Sequence, residues 1–156
     1  MDTPHEHYMR QALAEARAAA AQGEVPIGAV VVAGERVIAR AHNLTETLGD
    51  VTAHAEMQAL TAAASALGGK YLDRCTLYVT VEPCPMCAAA LRWAQLGTLV
   101  YGAPDPKRGY TTLSPQLLHP KTIVISGPLS AECAQLVSSF FAELRVAQKT
   151  RFGHSD

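Results

Sequence analysis

A β-branched run, Thr76 to Val81, is followed three residues later by Cys84-Pro85-Met86-Cys87. Proline is tolerated at the first helical position, where its missing N–H has no partner to lose, so the cysteine pair opens a helix directly after a strand. This junction constrains the chain more than any other feature, because it fixes where a strand stops and places two thiols in a helix's first turn. Unpaired N–H groups and the helix dipole favour thiolate there. A Cys-x-x-Cys in this setting serves either a dithiol redox site or a metal site, and the pair alone leaves both open. With only Cys75 and Cys133 besides, the cysteines make a poor disulfide framework; both are expected to be small core residues.

The remaining chain alternates between helical and extended patterns. Thr3-Pro4-His5-Glu6 reads as a capping box, and Met9, Leu13, Ala16 and Ala20 follow at helical spacing towards a stop near Gly23. Ile27 to Val32 and Arg36 to His42 predict two antiparallel strands around Ala33-Gly34-Glu35. After the polar stretch Asn43 to Thr52, the Ala-rich segment from His54 to Leu67 predicts a second helix ended by Gly68-Gly69. The helix opened by Pro85 is expected to run towards Gly97, with Trp93 in the core. Leu99 to Gly102 and Thr122 to Ser126 complete five strands. Ser130 caps a last helix whose stripe of Cys133, Leu136, Val137, Phe140, Phe141 and Leu144 must be buried against something. A hairpin followed by alternating strands and helices implies an α/β three-layer sandwich, a five-stranded mixed sheet with helices on both faces. At 156 residues the expectation is a single domain, 1–156, with a polar tail from about residue 149.

Composition narrows the function classes. The formal charge is −1, which does not announce a nucleic-acid binder, but the charge is uneven. Residues 1–91 hold six basic and ten acidic side chains, residues 92–156 seven and four, so a polyanion would be met by the second half. No apolar run reaches the roughly 18 residues of a membrane span, and the N-terminus lacks the basic and apolar regions of a signal peptide. The expectation is a cytoplasmic protein with no membrane partner. His5, His7 and His154 are expected to be exposed and uninvolved.

A catalytic zinc site takes three protein ligands and keeps a fourth position open. His54, Cys84 and Cys87 supply the right donors, and Glu56 is the candidate base beside them. Residues two apart on a regular helix project about 200° apart, so His54 and Glu56 share one site only if His54 stands at the helix N-terminus. A structural zinc site would need a fourth protein ligand, for which Cys75, Cys133 or His119 compete.

His54-Ala55-Glu56 followed by Pro83-Cys84-Pro85-Met86-Cys87 is the established signature of zinc deaminases, in which the glutamate is an acid/base rather than a ligand. Beyond it, Gly23-Glu24-Val25-Pro26-Ile27-Gly28-Ala29-Val30, His42-Asn43, Asp50-Val51-Thr52-Ala53 before His54, Leu77 to Cys84, and Tyr101-Gly102-Ala103 together resemble the bacterial tRNA adenosine deaminases. The resemblance runs from about Tyr8 to Arg145. It implies a zinc-dependent hydrolase that converts the wobble adenosine of tRNA to inosine and releases ammonia. It also implies a homodimer with one zinc ion per subunit, whose cleft, drawn from both subunits, receives the anticodon stem-loop. By the same resemblance His54, Cys84 and Cys87 hold the metal and Glu56 moves protons; Asn43, Val25 and Pro26 meet the flipped nucleoside, and Asp105 and Lys107 meet the anticodon. Asn43 alone also reads as an ordinary turn residue. Tyr110 to Ser114 depart from the small residues many relatives carry. Cys84-Pro85-Met86-Cys87 and Trp93-Ala94 are also similar to guanine deaminases of the same superfamily, which act on a free base.

Overall fold

The computed structural model describes residues 1–152. Helix α1 (Pro4–Ala21) leads into strands β1 (Gly28–Ala33) and β2 (Arg36–His42). A short α2 (Thr45–Leu48), α3 (Ala55–Leu67), β3 (Cys75–Val81), α4 (Pro85–Trp93) and β4 (Thr98–Ala103) follow. Two 3-10 turns, Tyr110–Thr112 and Pro115–Leu117, precede β5 (Ile123–Ser126) and α5 (Ser130–Phe152). The sheet order is β2-β1-β3-β4-β5. β1 is antiparallel to both β2 and β3, while β3, β4 and β5 run parallel. The expected five-stranded mixed sheet between helices is therefore present.

Local chemistry accounts for the elements. Thr3 and Glu6 form the full capping box of α1. The Gly34-Glu35 turn, with Gly34 at φ +65°, reverses the chain tightly enough to force the antiparallel hairpin. Strand alternation then sorts the side chains into two cores. Ala29 and Val31 face α3 and α4 with Leu77, Val79, Leu91 and Leu99, whereas Val30 and Val32 face α1 and α5 with Met9, Leu13, Tyr78, Val100 and Cys133. A Cβ on Gly28 would run into the Ala12 carbonyl, so glycine there lets α1 lie directly on β1.

Several expectations are corrected. The polar stretch after Asn43 contains α2. Helix α4 stops at Trp93, short of Gly97, because the chain leaves it through Gln95 at φ 54°. Trp93 is 82% exposed rather than core. The apolar stripe of α5 is buried only at Cys133; Leu136, Val137 and Phe140 are half-buried, and Phe141 and Leu144 are exposed. A 23-residue helix spans about 35 Å and outruns a six-residue strand of about 20 Å. Residues 149–152 of the expected tail continue α5, and the rest of the tail, with His154, lies outside the described residues. His5 is half-buried, its Nδ1 2.8 Å from the Tyr78 hydroxyl.

Candidate metal centre and substrate cleft

The C-terminal ends of the parallel strands β3 and β4, the end of β2 and the start of β1 all reach the same edge of the sheet, since Gly28 pairs with His42 and Ala29 with Val79. Ligand sites of open α/β sheets form outside such strand ends. A cavity of about 690 Å³ opens there. His54 is the N-cap residue of α3, with extended backbone, and Cys84 is the N-cap of α4, so the two helix N-termini converge on it. The expected placement of His54 is met. Gln58 fixes this turn, its amide donating to the His42 carbonyl at 2.8 Å and the Ala53 carbonyl at 3.1 Å.

His54 Nδ1 lies 3.6 Å from Cys84 Sγ and 3.5 Å from Cys87 Sγ. All three ligand atoms fall within 4.8 Å of one another, and among the described residues no other His, Cys, Asp or Glu joins the group. Two sulfurs and one imidazole nitrogen at this separation suit tetrahedral zinc with one position left over. The three alternatives for a fourth ligand stand elsewhere: Cys75 and Cys133 are buried in the two cores, and His119 borders a separate cavity with Asp73 and Gln95. Hydrogen bonds from Cys87 and from His54 hold the Cys84 thiol down at about 4, against its burial. The bond with Cys84 pushes Cys87 up, and burial adds to it; His54 is raised, chiefly by its bond with Cys84.

Glu56, in the first turn of α3, is 4% exposed and borders the cavity. Burial pushes its carboxyl up to about 7. Val25, Asn43, Asp105 and Lys107 also line the cavity, as does Arg108, whereas Pro26 is buried and stands outside the lining. Asn43 Oδ1 accepts the Thr45 N–H at 3.3 Å, so the turn reading of this residue holds alongside its place in the cleft. Asp105 Oδ1 accepts the N–H groups of Lys107 and Arg108 at 3.1 and 3.0 Å, shaping the loop that carries them.

Three features escaped the sequence. The far wall of the cavity is the apolar face of α5, including Val137 and Phe141, with Arg145 beyond. Two buried carboxylates support the other walls. Glu24, fully buried, accepts the Glu46 N–H at 3.1 Å, the Thr47 N–H at 2.7 Å and the Thr47 hydroxyl at 2.6 Å. Glu82 does the same for the segment that follows β4. The helical period of α5 carried a signal for the first feature, and Glu24 and Glu82 stand in segments that carry the family resemblance, but nothing in the sequence gave the partners of either carboxylate.

Comparison with known proteins agrees with this geometry. Residues 3–145 match the MafB19-like deaminase family. The chain is 47% identical over 152 residues to a tRNA-specific adenosine deaminase of Bacillus subtilis, covering 94% of each chain. It is also 47% identical over 145 residues to the tRNA-specific adenosine deaminase of Agrobacterium fabrum, covering 90% of this chain and 95% of that one. A solved structure from work on A-to-I editing by tRNA:A34 deaminases superposes with a TM-score of 0.77 at 47% identity, covering 83% of this chain and 98% of the other. A guanine deaminase from Bacillus subtilis superposes with a TM-score of 0.62 at 39% identity, over 67% and 66%. The chain belongs to the MafB19-like deaminase family and to the family of the tRNA-specific adenosine deaminases.

Proposed function

We propose that this protein hydrolyses the wobble adenosine of a tRNA anticodon stem-loop to inosine, releasing ammonia, with one zinc ion per subunit of a cytoplasmic homodimer. The observation that carries the reading is the meeting of His54, Cys84 and Cys87 at the cavity that Glu56 borders, in a chain of this family. Zinc, when bound by those three side chains, supplies the Lewis acid that makes water a competent nucleophile at neutral pH. Glu56 takes a proton from the attacking water on a carboxylate oxygen and passes it to the ring nitrogen as the C6–O bond forms; it then carries the hydroxyl proton to the amine as the C6–N bond breaks and ammonia leaves. Its burial beside the cavity keeps that proton out of bulk solvent. Asn43 and Val25 line the space for the base, with Pro26 stiffening the segment behind them. Asp105 and Lys107 stand on the loop where flanking nucleotides would lie.

Trp93, 82% exposed on α4, and Leu113, 71% exposed after the 3-10 turn packed against α4, offer an apolar face to a second copy. Among the described residues no helix is long and apolar enough to cross a membrane.

The deciding experiment measures ammonia release by zinc-loaded protein, comparing an anticodon stem-loop bearing a wobble adenosine with free guanine, adenosine and cytidine. Inosine in the stem-loop product supports the reading. Release from free guanine alone keeps the chemistry and replaces the substrate, an outcome the guanine deaminase likeness makes specific.

A further inference from the structure

The loop carrying Lys107 and Arg108 has neither strand nor α-helix to hold it, yet it forms one wall of the cleft. Its position is set by a side chain outside it. Glu82, the residue after β3, is 5% exposed and has both carboxylate oxygens engaged by the two ends of the loop. Oε1 accepts the Asp105 N–H at 3.2 Å; Oε2 accepts the Thr111 N–H at 3.0 Å and the Thr111 hydroxyl at 2.7 Å. Between these ends the Gly109 N–H donates to the Asp105 carbonyl at 2.9 Å, closing the turn on itself. A Cβ on Gly109 would run into the Glu82 carboxylate, so the turn is wrapped around this side chain.

The tether also reaches the metal centre. Glu82 is followed by Pro83 and the ligand Cys84; its own N–H donates to the Ala103 carbonyl at 2.8 Å, and the Pro83 carbonyl accepts the Tyr110 N–H at 2.8 Å. One short segment thus presents a metal ligand on one side and grips the cationic loop on the other. We propose that Glu82 is a positioning residue whose carboxylate, by tying Asp105 to Thr111, sets where Lys107 and Arg108 meet the RNA relative to the metal centre. The inference rests on the RNA reading of the cleft given above.

A carboxylate suits this task because all three partners are donors, and charge-assisted bonds are shorter and stronger than neutral ones. Glutamine would turn an amide N–H₂ towards at least one of those donors, loosening the loop while leaving Tyr110 buried beneath it. The loop should then still fold but sample a wider range of positions, and loss of preorganised contact with substrate appears in KM before kcat.

The test compares the zinc-loaded parent with Glu82→Gln, Thr111→Val and Thr111→Ser. Each is assayed on the stem-loop over a range of salt, with amide hydrogen exchange followed over residues 104–112. Glu82→Gln should raise KM about tenfold with kcat held within about threefold, and exchange should quicken in that segment alone. The salt dependence of KM should become shallower as the phosphate contacts are lost. Thr111→Val, on an exposed residue, should raise KM about threefold; Thr111→Ser should restore it; and Thr111→Val should add little in the Glu82→Gln background. Quickened exchange with unchanged KM and salt slope would overturn the proposal, as would a fall in kcat that follows zinc content. A parent that leaves the stem-loop untouched but deaminates guanine would sink the substrate reading instead; the tether would then be judged by exchange, and unchanged protection in Glu82→Gln would refute it.

Discussion

Replacing Glu24 by Gln tests whether a buried carboxylate holds the α2 side of the cleft. Burial acts to raise the pKa of Glu24, but the Thr47 hydroxyl, the Thr47 N–H and the Glu46 N–H outweigh it and hold the carboxyl below its ordinary value of 4.5. Gln keeps one accepting oxygen. If that oxygen retains both Thr47 bonds, the amide nitrogen faces the Glu46 N–H, and a donor meets a donor. One charge-assisted bond, about 1.5–3 kcal/mol, is lost. The remaining two weaken to neutral strength, by about 1 kcal/mol each, while the smaller cost of burying an uncharged amide offsets part of the sum, so the expected loss at pH 7 is about 2–4 kcal/mol. The sign of the pH effect follows from linkage. A depressed carboxyl pKa contributes stability that is fully present above the unfolded value of 4.5 and is lost as pH falls through the folded value. Urea unfolding of parent and variant in the same metal state should therefore show a constant gap from pH 7 to about 5, narrowing below about 4.5. A gap under about 0.5 kcal/mol at pH 7, or one that persists unchanged to pH 3, would refute the reasoning.

Glu56→Gln should keep zinc content and fold yet lower kcat by at least about 10³-fold, measured as inosine formed per zinc-loaded subunit; full activity would remove Glu56 from the proton path. Neutralising Lys107 and Arg108 together should weaken stem-loop binding and flatten the slope of log Kd against log salt by about one unit per lost phosphate contact, read from titrations at several salt concentrations. Trp93→Glu should shift the protein from dimer to monomer in sedimentation velocity while leaving far-UV circular dichroism unchanged, because the side chain is exposed in the isolated subunit.

What could be read in the sequence was whatever local geometry decides. Pro85 announces the start of α4, and the 200° projection between residues 54 and 56 forces His54 to the N-cap where it is found. Local signals mislead once a tertiary contact takes over. Gly97, read as a helix stop, is glycine because a Cβ there would strike the Asp73 carbonyl, while α4 ends earlier through Gln95. Trp93 follows Leu91 by two residues and so points away from the face that buries Cys87, Ala88 and Leu91; hydrophobicity alone placed it inside. Glu24 and Glu82 show the same limit from the other side. Each adjoins a legible motif, but its partners, two backbone N–H groups and one threonine hydroxyl, lie 22 to 29 residues further along the chain; a backbone donor leaves no letter in the sequence, and a lone threonine does not announce its acceptor. The candidate metal centre could be read because the side chains that could hold an ion, His54, Cys84 and Cys87, are of distinctive type. The walls around it could not, because they are held mostly by backbone N–H groups, with a single threonine hydroxyl at each carboxylate.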